Sequence, residues 1–298
     1  MKWQDMRESE NVEERSGGGG VPFGGGMRLG GGAILVIVVV SVLLGKNPLE
    51  MLALLGGGGG PPVQTQSVTP GPAVSGPRPA EDPERRFVAK VLGDTEDFWS
   101  NTFSQMGARY EAPRLDLFKD SADSACGLAQ PAIGPFYCPG DREVYLERDF
   151  FRELSQRFGA PGDFARAYVI AHEVGHHVQN QLGLMDKAQA RMAAASGPQR
   201  NALSVRLELQ ADCLAGVWGN SAAKRGLIDA SDVDSGIAAA MAVGDDRLQR
   251  AAGRNAVVPE QFTHGSSQQR AEWFKIGLES GDIRQCNTFA SAASGRSR

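Results

Sequence analysis

The chain has 298 residues, a formal net charge of -4, and 41% hydrophobic against 22% charged residues. That is enough apolar material for a sizeable core, and it lacks the concentrated basic face that counterion-driven nucleic-acid binding needs, so nucleic-acid partners are excluded. Its 38 glycines and 16 prolines are clustered, so part of the chain is expected to lie outside any core.

Residues 1–28 are polar and interrupted by glycine runs, which predicts a disordered tail. Residues 29–45 carry no charge and centre on the apolar run from Ala33 to Leu44, at the short end of the ~17–25 residues that span a bilayer. A signal-peptide core and a buried strand are the alternatives. With 28 residues ahead of it and no A-x-A site behind it, an uncleaved transmembrane helix is the expectation. Lys2, Arg7, Arg15 and Arg28 precede the segment and only Lys46 closely follows. The basic excess places the N-terminus in the cytoplasm and the remainder outside, as a single-pass protein of the cytoplasmic (inner) membrane. Residues 46–83 read as a Gly/Pro-rich linker, and residues 84–298 as one folded domain.

Within that domain, Phe87, Val88, Val91, Leu92, Phe98, Trp99 and Phe103 predict one or two helices over Glu84 to Met106. Arg114 to Phe118 and Glu143 to Glu147 alternate as strands do. The second is either a plain core strand or an edge strand on which an extended peptide is laid by backbone pairing. Asp163 reads as the N-cap of a helix that stops at Gly183, with Phe164, Ala167, Tyr168, Ala171 and Val174 as its buried stripe. Gln199 to Lys224 is a further helix, Ser231 to Arg250 and Gln268 to Leu278 read as packing helices, and His264 precedes a cap at Ser266 or Ser267. The four cysteines, Cys126, Cys138, Cys213 and Cys286, all lie in the folded region. They suit either disulfides of an exported domain or buried thiols, and the absence of C-x-x-C disfavours a cysteine zinc site. Cys126 with Cys138 would make a local staple; Cys213 with Cys286 would tie the 199–224 helix to the C-terminus.

The buried helix carries His172-Glu173-Val174-Gly175-His176. Positions four apart lie one above the other, so both imidazoles can reach one metal ion with Glu173 beside them. Buried charges need partners. Gly175 in mid-helix, disfavoured by about 1 kcal/mol relative to Ala, indicates a close backbone approach. Glu208 and Asp212 also stand four apart on one helix face. They fit a carboxylate ligand and a carboxylate that holds the far N–H of a ligating histidine. His177 is about 100° off that face and reads as packing or support.

Three segments, HEVGHHVQ ending at Gln179, ELQADCLAG ending at Gly216 and FTHGSSQQR ending at Arg270, together resemble the neutral zinc metallopeptidases of bacteria, and the likeness covers nearly the whole chain. More distantly, H-E-x-x-H with E-x-x-x-D is similar to the gluzincins. The resemblance implies a membrane-anchored, zincin-like domain of α+β class, mostly helical with a small β-sheet, using Zn2+ bound by His172, His176 and Glu208, with Asp212 orienting a histidine. Glu173 is then the general base of peptide-bond hydrolysis, and His264, Tyr145 and Tyr168 are candidate donors to the oxyanion. The expected partners are a peptide or protein substrate and the membrane. Two other readings stand beside the endopeptidase: a non-catalytic, metal-stabilised scaffold domain, which would not need Glu173, and a zinc amidase acting on peptidoglycan peptides.

Overall fold

A computed structural model of the chain describes residues 1–16, 82–130, 134–254 and 256–290. The described chain is mostly helical with a small sheet. Strand β1 is Val12–Ser16, β2 Arg114–Lys119, β3 Ala122–Ser124, β4 Gly127–Ala129, β5 Phe136–Cys138 and β6 Glu143–Glu147. Helix α1 is Pro83–Gln105, α2 Phe150–Gln156, α3 Asp163–Gln181, α4 Leu184–Ala193, α5 Gly197–Lys224, α6 Ala230–Ala242, α7 Asp245–Ala251 and α8 Ser267–Ser280.

Helix α1 is continuous where the apolar spacing allowed one helix or two. Its start is fixed by Asp82, whose side chain accepts from the N–H groups of Glu84 and Arg85, with Pro83 in the first turn. The main sheet runs β1-β2-β6-β5, with β1, β2 and β6 parallel and β5 antiparallel to β6; β3 and β4 form a separate hairpin. Strand β6 is therefore interior, and all five of its residues are buried. Of the two readings of residues 143–147 the plain core strand holds and the edge strand does not: the outer strand on that side is β5, three residues long and too short to announce itself by alternation. The disulfide Cys126–Cys138 ties the β3–β4 turn to β5.

The expected disordered tail is different in its first 16 residues. Trp3 lies edge-on against Phe87 with ring centroids 5.5 Å apart and donates to Asp163 at 3.1 Å. Buried Glu96 accepts from Arg7, Ser9 and Asn11 at 2.7–2.8 Å. Residues 12–16 then pair in register with 115–119. Composition misled because the partners of this segment's polar groups lie on distant elements, chiefly α1 and β2, and a local window cannot see that.

The pairing also bears on the membrane. The transmembrane helix expected over residues 29–45 lies outside the described residues, and among the described residues no helix is long and apolar enough to cross a membrane. Strands that share a hydrogen-bonded ladder share a compartment, so β1 and β2 must lie on the same side of any bilayer. A single crossing that leaves the N-terminus in the cytoplasm and residues 84–298 outside is incompatible with that sheet, and single-pass inner-membrane anchoring is not supported.

Helix α3 is preceded by Gly162, whose φ of 114° suits glycine alone, and not capped by Asp163, which takes the first helical position. Helices α5 and α8 cross at unusually close range: a Cβ on Gly277 would meet the carbonyl of Cys213, and one on Gly216 the carbonyl of Phe274. The disulfide Cys213–Cys286 closes the same contact, joining α5 to the turn after α8. Ser266 and Gln269 form a capping box at the start of α8.

Two stability predictions arise here. A Cβ on Gly93 would strike the backbone carbonyl of Arg7. Gly93→Ala should therefore loosen residues 1–16 and lower unfolding stability by about 1–3 kcal/mol in urea titrations. Gly197→Ala, where a Cβ meets nothing within 4 Å, should change it little. The second concerns Asp116 in β2. Burial pushes its carboxyl up to about 6; Arg15 opposes the rise, and Glu143 and Glu13 add to it. A raised carboxyl favours the folded state fully below its unfolded pKa of about 3.9, and that contribution is lost as pH rises through about 6. Asp116→Asn should remove this loss, so the stability gap between parent and variant should move in the variant's favour from about pH 4 to about pH 7.

Candidate metal centre

Helix α3 buries its apolar stripe completely: Phe164, Ala167, Tyr168, Ala171 and Val174 are each at most 2% exposed. This turns His172, Glu173 and His176 toward α5. The approach is close, as the mid-helix glycine implied: a Cβ at Gly175 would lie 3.0 Å from the carbonyl oxygen of Ala211. Ala211 stands between Glu208 and Asp212, so the two helices meet where their polar residues face each other.

At that meeting point one nitrogen each from His172 and His176 and one oxygen of Glu208 all lie within 4.8 Å of one another, and they could hold a metal ion. Nε2 of His172 is 3.2 Å from Glu208 Oε2, and Nε2 of His176 is 3.5 Å from Oε1. The far nitrogens are engaged. Nδ1 of His172 is 2.9 Å from Asp212 Oδ1, and Nδ1 of His176 is 2.9 Å from Gln179 Oε1. Asp212 accepts from Arg270 Nε and Nη2, both at 2.9 Å, and from the Tyr168 hydroxyl. A carboxylate loaded with three other donors is ionised and can only accept, so His172 carries its proton on Nδ1.

The orientation of Gln179 follows by the same accounting. Gln210 Nε2 donates to the carbonyl of Cys286 at 2.8 Å, leaving Gln210 Oε1 to accept from Gln179 Nε2 at 3.1 Å; that nitrogen also reaches the carbonyl of Leu207 at 2.8 Å. Both terminal carbonyls can only accept, so the Gln179 oxygen must face His176, and His176 too is protonated on Nδ1. Two imidazole lone pairs and a carboxylate thus converge in a partly buried space. They require positive charge among them, supplied either by protons on Nε2 or by a bound cation, and a donor set of two histidines and one carboxylate is one that zinc takes.

The electrostatics agree. Burial opposes charge on His172, yet Asp212 and Glu208 raise it to about 9. A proton and a cation therefore compete for its Nε2, and cation binding releases the proton. Burial would raise the Glu208 carboxyl, but His176, His264 and the hydrogen bond from His172 hold it well below the usual carboxylate range. Asp212 is likewise held at about 2, against burial, by Arg270 and His172. Glu173 is the exception. It is 7% exposed, makes no hydrogen bond among the described residues, and burial raises its carboxyl in spite of the neighbouring histidines.

His264 reaches the site from the turn before α8. Asp245 holds that turn: its Oδ2 accepts from the N–H groups of Thr263, His264 and Gly265 at 2.7, 2.7 and 3.0 Å, and its Oδ1 faces His264 Nδ1 at 3.2 Å. The Nε2 of His264 is left free of these bonds, and its charge and that of Glu208 perturb each other. The other two expected donors are elsewhere engaged. Tyr145 donates its hydroxyl among Asp141 and Glu143 on the sheet, and Tyr168 is spent on Asp212. His177 is packed between Tyr110 and Tyr137, with Nδ1 3.1 Å from the Tyr137 hydroxyl, and burial lowers it to about 4.

Three supporting residues, Gln179, Arg270 and Asp245, had no assigned role in the sequence reading. Gln179 had a readable signal, being three residues after His176 and so on its face. Arg270 and Asp245 come from other elements, and no spacing links them to the motif.

The family described as "Putative neutral zinc metallopeptidase" matches residues 1–289. The chain is 44% identical over 296 residues to the "Uncharacterized protein YpfJ" of Escherichia coli (strain K12), covering 98% of this chain and 100% of that protein. It is 40% identical over 246 residues to the "Uncharacterized protein Rv2575" of Mycobacterium tuberculosis (strain ATCC 25618 / H37Rv), covering 78% of this chain and 80% of that protein. No solved structure matches the chain. Since the family match spans β1, both halves of the candidate metal centre and the turn of His264, the chain belongs to that family.

Proposed function

We propose that this protein is a zinc-dependent endopeptidase in which His172, His176 and Glu208 hold the metal and Glu173 is the general base. The observation that carries the reading is Glu173 itself. A site built only for stability needs ligands, whereas a buried carboxylate without a hydrogen bond among the described residues, raised by burial and set beside the converging ligands, is suited to accept and return a proton. This argues against a non-catalytic scaffold.

When bound, zinc supplies Lewis acidity that brings a water toward a pKa of about 7 and polarises a carbonyl. The chain's own residues do the rest. Asp212 and Gln179 keep both histidines as Nδ1–H tautomers, so that each presents a lone pair on Nε2. Glu173 takes the proton of the attacking water; the oxygen bonds to the carbonyl carbon, the C–N bond breaks, and Glu173 delivers the proton to the leaving nitrogen. His264, its Nδ1 anchored on Asp245, is free to donate from Nε2 to the oxygen that gains charge. The substrate class is a peptide or protein.

The test is zinc content by metal analysis alongside cleavage of a peptide library. Glu173→Gln should retain zinc and lose roughly 10²–10⁴-fold in rate; undiminished cleavage overturns the mechanism. Glu208→Ala should lose the metal, and full zinc retention overturns its role as ligand. His264→Ala should keep zinc and lose roughly 10²–10³-fold in kcat.

A further inference from the structure

The two histidines of the metal centre are backed by chemically different partners. His172 leans on an ionised carboxylate neutralised by Arg270. His176 leans on a neutral amide, and that amide is the first member of a chain that leaves the site. Gln179 is 0% exposed, and Gln210, midway between Glu208 and Asp212 on α5, is 6% exposed. Gln179 passes its two donors to Leu207 and Gln210, and Gln210 passes its own to the carbonyl of Cys286. Cys286 is 1% exposed and is fastened by its disulfide to Cys213, which adjoins Asp212. Next to it, the Thr288 hydroxyl donates to the carbonyl of Arg206 at 2.6 Å, so the same C-terminal turn grips α5 on both sides of Glu208.

We propose that Gln179 and Gln210 are positioning residues that lock the tautomer and orientation of His176, and that the Cys213–Cys286 disulfide is the fixed end from which they act. Without a carbonyl acceptor at Cys286, the Gln210 amide is free to turn its oxygen outward. Gln179 then keeps only the Leu207 carbonyl of its two acceptors, so its orientation is held less firmly and its NH2 group is presented to His176 in part of the population. An NH2 group facing Nδ1 selects the opposite tautomer, with the proton on Nε2, where it blocks the position needed by a cation. Affinity for the metal is in this way set more than two side chains away, by a covalent bond that touches no ligand. The inference rests on the reading of His176 as a zinc ligand.

The test uses the full chain. Zinc affinity is measured by chelator competition, and the ring tautomers of the 4 histidines are read from long-range 1H–15N spectra of the zinc-free protein. Gln179→Met, Gln210→Met and Cys213→Ala/Cys286→Ala should each weaken zinc binding by roughly 10–100-fold. Each should also move His176 away from the Nδ1–H signature while leaving the signal of His172, whose ring is held by Asp212, as it is in the parent. Cys126→Ala/Cys138→Ala, which removes the other disulfide, should leave both readouts unchanged. Combining Gln210→Met with Cys213→Ala/Cys286→Ala should add no further loss, because both break one chain. Affinity within threefold of the parent in the Gln210 and Cys213/Cys286 variants overturns the proposal, as do additive losses or an unchanged His176 tautomer. If Gln210→Met fails to fold, the two disulfide variants decide it: equal zinc affinity in both overturns the relay. A parent chain that binds no zinc overturns the metallopeptidase reading and the relay together.

Discussion

The structure turns on one carboxylate. Asp212 is 0% exposed and accepts from His172, from two nitrogens of Arg270 and from Tyr168, so a single side chain joins α3, α5 and α8. An ionised group in such a place is tolerable only because its partners neutralise and hydrogen-bond it completely. Removing any one partner leaves the rest uncompensated, which makes the three-helix junction a cooperative unit. The helices can come close enough because small residues sit at each contact. Gly175 admits Ala211, and Gly216 and Gly277 let α5 and α8 touch backbone to backbone. The glycines are thus part of the electrostatics: without the short interhelical distances, Arg270 could not reach a carboxylate that in turn reaches a histidine.

The unlike backing of the two histidines has a consequence for charge. Within the centre, Glu173, Glu208 and Asp212 bring three carboxylates and Arg270 one fixed positive charge. A divalent cation added to that set makes the whole neutral, which is the condition under which burial costs least. A second carboxylate behind His176 would leave the set one negative charge in excess. The amide of Gln179 supplies the same acceptor geometry without that charge, and its weaker hold on the imidazole is compensated by the amide chain running to Cys286.

How much of this could be read from the sequence depends on how local the cause is. The H-E-x-x-H helix, the paired carboxylates of α5, the capped helix after His264 and the need for a close approach at Gly175 are all consequences of spacing along one helix, and each has its counterpart in the structure. Arg270 and Asp245 were illegible as supporting residues because their meaning lies in a partner on another element. Strand β6 was legible as a strand, but the choice between core and edge was not, since a run of five residues says nothing about how many neighbours it has. Residues 1–16 mark the limit most clearly. Judged by composition they cannot fold, and judged alone that is correct; they are ordered by Glu96, Phe87 and the open edge of β2.

That edge explains why the N-terminal strand belongs to the same folded unit as the candidate metal site. Strands β2 and β6 are parallel and buried, and a parallel pair with one side open exposes a row of unpaired backbone groups. β1 covers them and ends the sheet in the charged sequence Glu13-Glu14-Arg15, whose side chains form ion pairs with Arg85, Arg114, Arg148 and Asp116. The same strand is spliced through Arg7, Ser9 and Asn11 to α1, and through Trp3 to the first turn of α3, the helix that carries His172 and His176. The first residues of the chain therefore brace the front end of the metal-site helix, while the last described ones brace its back through Gln210 and Gln179. A site braced at one end by Trp3 and at the other by the carbonyl of Cys286 is complete only when both of those contacts with α3 and α5 are made.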